Sequence, residues 1–86
     1  MAVEVYGVDA TFVAAYLPQV TVASSGPLTS ARLTELIEGA AAVYNGRLIA
    51  RFGSGTPATI GADATTDAYR NAQTATIKIA KPGILL

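Results

Sequence analysis

The sequence predicts a mainly α protein, a small helical bundle with one long central helix, an extended N-terminal arm and a C-terminal tail. Three observations predict it. Apolar residues recur at three- and four-residue steps from Leu33 to Phe52, the repeat of a single helical face. Capping residues stand just before each helical pattern, at Asp9, at Thr29 and at Asp63 or Thr66. Proline- and glycine-bearing segments at Pro18, between Gly53 and Gly61, and at Pro82-Gly83 separate the patterns. With 86 residues the chain makes one domain, and its own core is thin.

Residues 1–8, MAVEVYGV, set Val3 and Val5 on one side of an extended arm and Glu4 and Tyr6 on the other. Asp9 caps a first helix over residues 10–17, on which Phe12, Ala15 and Tyr16 share a face until Pro18 ends it. The next segment alternates at Val20 and Val22 before the turn cluster Ser24-Ser25-Gly26-Pro27, and reads as a loop with room for a short strand. Thr29 caps the long helix, whose stripe is Leu33, Leu36, Ile37, Ala40, Tyr44, Leu48 and Phe52.

Asn45-Gly46 interrupts that stripe with the dipeptide most typical of a tight hairpin. A turn there would split Tyr44 from Leu48 and leave the repeat from Leu33 to Phe52 without a cause. The helix therefore runs through it, at a glycine cost of about 1 kcal/mol relative to alanine. Gly46 then implies a close backbone neighbour or a bend. Gly53 supplies a left-handed cap, with Arg47 and Arg51 near the negative end of the helix dipole.

Residues 53–62 hold Gly53, Gly55, Pro57 and Gly61 and read as a surface loop. A third helix follows to about Ala80, with Tyr69, Ala72, Thr76 and Ile79 on one face and Ala68 and Ala75 beside it. The alternation of Ala75, Ile77 and Ile79 is the competing strand pattern over residues 74–80, and Lys81-Pro82-Gly83-Ile84 suits a type II turn. Residues 82–86 form the tail, where Ile84, Leu85 and Leu86 put three large aliphatics in a position that polar residues normally take.

Six acidic and six basic side chains cancel and form no run, which disfavours a nucleic-acid platform or an anionic-membrane surface. The chain has no cysteine and no histidine, so thiol chemistry, the commonest metal ligand and the commonest general acid-base are missing. No apolar stretch approaches the roughly 20 residues of a membrane span, and the N-terminus lacks a signal-peptide pattern, so the expected location is soluble and intracellular when made. Glu35 and Glu38 fall opposite the stripe and read as solvated charges. Asp63 and Asp67 lack the ladder and closing glutamate of a calcium loop, and read as caps. Gly53-Ser54-Gly55 lacks the lysine and hydroxyl of a phosphate cradle. No catalytic, cofactor-binding or metal-binding residue is expected.

Taken in order, ATFVAAYLPQV, then GPLTSARLTELIEGAAAVYNGRLIARFG, then a Gly/Pro-rich gap and DAYRNAQTATIKIA resemble the head-to-tail connector (adaptor) proteins of tailed bacteriophages, over about 70 of the 86 residues. Ile37, Ala41, Val43, Asn45, Leu48 and Phe52-Gly53 fill the places of that family's long second helix. Many relatives continue into a longer fourth helix, whereas here Pro82-Gly83 intervenes.

The resemblance implies a structural, non-enzymatic virion protein of the phage neck, made in the host cytoplasm. Residues 1–86 would be one adaptor-like domain forming a homo-oligomeric ring, commonly a dodecamer, under the portal protein. The ring would extend the DNA channel, let DNA pass without sequence-specific binding, and present a surface to the stopper or tail-completion protein. Neutral charge and alanine-rich faces agree with such a role. On this reading Ile84, Leu85 and Leu86 dock on a partner, and Tyr44, Gly46, Arg47 and Arg51 pack between subunits. The alternatives are another small virion component, such as a tail-completion or minor capsid protein, and a helix-turn-helix DNA-binding module. Against the last, the gaps after Pro18 and Gly53 are too long for its short turn.

Overall fold

The computed structural model describes residues 3–18 and 29–85, which form four helices and no strand. They are α1 (Ala10–Tyr16), α2 (Ser30–Phe52), α3 (Thr56–Gly61) and α4 (Asp67–Ile84), a small helical bundle built around the long α2. The strand expected near Val20 and Val22 lies outside the described residues.

The caps act at their expected places. Asp9 accepts from the Phe12 N–H at 2.9 Å and Thr29 from the Arg32 N–H at 3.1 Å. Of the two candidates before α4, Thr66 is the cap and accepts from the Tyr69 N–H at 3.1 Å. Asp63 instead accepts from the Thr65 N–H and hydroxyl, closing the turn that leads into α4. α2 is continuous through Asn45-Gly46, so packing along the helix overrides the local turn preference. Gly53 ends it with φ 111° and ψ 164°, an extended backbone that favours glycine rather than the expected left-handed helical cap.

The core lies between α2 and α4, which pack chiefly on each other, and α1 closes one side of it. Leu33, Ile37, Ala40 and Leu48 of α2 are buried, as the stripe requires. The stripe drifts where the periodicity reading held it fixed. Ala41 and Asn45 turn inward, Tyr44 is half-buried, and Phe52 is 70% exposed. On α1 the inward pair is Val13 and Leu17, one turn apart, while Ala15 and Tyr16 face outward.

Three boundaries differ from expectation. Residues 53–62 are not all loop, because Pro57 sits in the first turn of α3, where its missing N–H leaves no helical bond unmade. Residues 74–80 are helical, with Thr76, Ile77 and Ala80 buried against α2. Helix α4 then runs past Pro82 to Ile84, so residues 82–84 belong to the helix rather than to a separate tail, and Lys81-Pro82-Gly83-Ile84 is not a turn. The Leu85 N–H still reaches the Lys81 carbonyl at 2.9 Å, and burial of Ile84 holds the last turn in place.

The arm differs most. Tyr6 and Gly7 both have positive φ, 56° and 70°, and the Val8 N–H donates to the Val5 carbonyl at 3.0 Å across them. This reverses the chain into α1. Tyr6, on the side opposite Val3 and Val5, is fully buried, whereas Val3 and Val5 are half-buried.

Candidate functional site

The arm crosses α2 and leaves an apolar groove on either side of itself. Toward the C-terminal half of α2 the groove is about 620 Å³ in volume, floored by Ala42, Asn45, Gly46 and Ile49 and walled by Val3 to Val5 and by Pro57 and Ala58 of α3. Toward the N-terminal half a second groove of about 350 Å³ lies among Val5, Val8, Leu33 and Ile37, edged by Asp9 and Glu38. A third, shallow one of about 300 Å³ runs between α2 and α4, over Leu36, Gly39, Val43 and Gly83, with Glu35 at its rim.

A buried polar cluster fixes the arm that shapes these grooves. The Tyr6 hydroxyl donates to Asn45 Oδ1, and Asn45 Nδ2 donates to the Glu4 carbonyl at 3.1 Å. The Tyr6 N–H donates to the Glu4 carboxylate at 3.0 Å, and Gln73 Nε2 donates to the Tyr6 carbonyl at 3.0 Å. Tyr44 and Tyr69 meet the Tyr6 ring edge-on, with centroids 6.1 and 6.0 Å away. Burial foremost, then the Glu4 carboxylate and Tyr44, pushes the Tyr6 phenol up to about 12. Tyr6 therefore stays a neutral donor, and the cluster anchors structure rather than exchanging protons near neutral pH. The signal in the sequence was Asn45, a polar residue one step from the apolar stripe.

The expected packing residues are not gathered into one surface. Tyr44, half-buried, packs its ring edge-on against Tyr6, and Gly46 lines the largest of these three grooves. Arg47 and Arg51 are exposed on the flank that continues Leu36, Ala40 and Val43, and neither makes an ion pair among the described residues. Among the described residues Gly46 has no close neighbour, since a Cβ there would meet nothing within 4 Å.

The docking triplet is also divided. Ile84 belongs to the core at 7% exposure, which corrects its assignment to a partner, while Leu85 is 44% exposed and Leu86 lies outside the described residues.

On the outward side of α2, Gly39, Ala42, Val43, Gly46, Ile49 and Ala50 are all exposed, with the exposed Arg47 beside Val43 as the one charge between Gly39 and Ala50. Small side chains let another backbone approach closely, and the flanking grooves can receive its side chains. The described residues contain no group of three acidic side chains able to hold a metal ion. Asp63, held below the usual carboxylate range first by the Thr65 hydroxyl and then by its N–H, serves the turn. No helix among the described residues is long and apolar enough to cross a membrane.

No protein-family model, curated protein or solved structure matches this chain.

Proposed function

We propose that this chain is a non-enzymatic structural subunit of a phage neck, assembling into a ring between portal and stopper or tail and extending the DNA channel. The observation that carries this reading is the outward side of α2. Four of its seven exposed positions from Gly39 to Ala50 are glycine or alanine, and Val43 and Ile49 remain 47% and 43% exposed among them. A Cβ at Gly39 or Gly46 would meet nothing within 4 Å among the described residues, so these two helical glycines, each costing about 1 kcal/mol relative to alanine, serve no packing contact shown there, whereas an assembling subunit gains close approach. The resemblance in order of segments to the phage adaptors supplies the kind of assembly. Electron microscopy of virions labelled with an antibody to this chain tests the reading. Label at the vertex between head and tail is expected; label elsewhere on the particle makes it another virion component, and unlabelled particles overturn a virion role.

A further inference from the structure

Asn45-Gly46 is helical against its own turn preference, and the pair carries a chemical liability that the same packing holds in check. Asparagine followed by glycine readily loses its side-chain amide without an enzyme, because no Cβ on the second residue hinders the main-chain nitrogen that attacks. The Gly46 nitrogen gives its proton to solvent and bonds to Asn45 Cγ. The Cγ–Nδ2 bond then breaks, and Nδ2 takes up a proton and leaves as ammonia. Water opens the resulting five-membered imide at either carbonyl, giving aspartate or isoaspartate.

The fold restrains both reacting groups. Gly46 lies inside α2, so its N–H is committed to the helix ladder, and helical backbone angles keep its nitrogen off the line of attack on Cγ. Asn45 is 8% exposed, its Oδ1 takes the Tyr6 hydroxyl, and its Nδ2 donates to the Glu4 carbonyl at 3.1 Å. Both of those partners come from the arm. The arm is held in turn by Gln73 at the Tyr6 carbonyl, and it reverses through Tyr6 at φ 56°, a conformation that persists only while its surroundings impose it. The other asparagine of the chain, Asn71, is exposed on α4 and precedes Ala72, whose Cβ hinders the same attack.

We propose that Asn45-Gly46 is a self-modification site guarded by the arm. While Tyr6 and Glu4 hold the Asn45 amide within an intact α2, the pair is inert. When the arm lifts and α2 opens at its centre, the amide is lost and the change is irreversible. Neither product can rebuild the cluster. Aspartate has no Nδ2 proton to give, so it sets a second acceptor against the Glu4 carbonyl in a buried place. Isoaspartate adds a carbon to the main chain and breaks the hydrogen-bond ladder of α2. A chain caught open in this way is withdrawn from the folded population.

Peptide mass mapping of the full chain, incubated at mildly alkaline pH, tests the guard by counting amide-to-acid conversion at Asn45 with Asn71 as internal reference. In urea above the unfolding midpoint Asn45 is expected to convert faster than Asn71. In the folded chain its conversion waits on opening and should be at least about a hundredfold slower than in urea. Tyr6→Phe removes only the hydroxyl and, in a chain folded by circular dichroism, should raise the folded-state rate about tenfold, the factor of one lost hydrogen bond. Gln73→Ala loosens the arm from its other side and takes the place of Tyr6→Phe where that variant does not fold. Asn45→Asp makes one product directly and should melt below wild type. The proposal is overturned by a folded wild-type chain that converts at the unfolded rate, by a folded arm variant that converts no faster than wild type, or by an Asn45→Asp chain that melts like wild type.

Discussion

Tyr6 is a non-glycine residue held at φ 56°, a conformation that costs about 1 to 3 kcal/mol. Its hydroxyl, N–H and carbonyl are all bonded and its ring is fully buried, so the surroundings offset that strain. The phenol, raised from its ordinary value to about 12, stabilises the fold fully below about pH 10. That contribution is lost as pH rises toward 12, at about 1.4 kcal/mol per unit. Urea unfolding across this range is expected to show the decline, and Tyr6→Phe to flatten it. At neutral pH the same substitution leaves Asn45 Oδ1 without its donor and should cost about 1 to 3 kcal/mol. Thr76 is the opposite case, a fully buried hydroxyl with no hydrogen-bond partner among the described residues. Thr76→Val removes the unpaired oxygen at nearly constant volume and should raise stability by about 1 kcal/mol, read as a later urea midpoint. The Tyr6 contact was illegible in sequence because it joins residues 39 apart, and only Asn45 hinted at it.

Helix α4 marks where local rules stop. Proline lacks an N–H and normally ends a helix, so the sequence placed the boundary near Ala80 and set the last residues free as a docking tail. In the structure, burying Ile84 against the core outweighs one missing hydrogen bond, and Gly83 lets α4 lie on α2, since a Cβ there would stand 2.8 Å from Leu36 Cδ2. Ile84→Ala should therefore destabilise the domain by about 2 to 5 kcal/mol, while Leu85→Ala should stay within about 0.5 kcal/mol. Chemical unfolding of both variants distinguishes core from surface at adjacent positions. Deleting residues 82–86 should lower the melting temperature rather than spare it, the reverse of what a free tail predicts. Caps and long periodicity were legible because their causes are local. The fate of Pro57 and Pro82 was not, since it depends on which element each turn packs against.

For the whole molecule, fold class followed from the period of α2, the caps and the proline and glycine breaks, but the grooves required knowing that the arm reverses at Tyr6-Gly7 and lies across α2. Gly46 connects this scale to the assembly. Among the described residues nothing approaches within 4 Å of where its Cβ would be, so the glycine answers no packing contact shown there. In an exposed helical position, replacing glycine by a good helix former gains up to about 1 kcal/mol. Gly46→Leu should therefore leave the chain folded, with its helical circular dichroism intact and a melting temperature equal to or above wild type. The same side chain fills the floor of the groove between Ala42 and Ile49, where a neighbouring copy is expected to seat. Assembly should then fail although the subunit is sound: in complementation of virions lacking this chain, the variant should be expressed but absent from the particle, with few tailed particles formed. If Gly46→Leu incorporates at wild-type levels, the groove is not an assembly surface and the glycine is merely tolerated. If instead the variant unfolds, a contact within the chain has been missed and the open space at Gly46 is not what the fold uses.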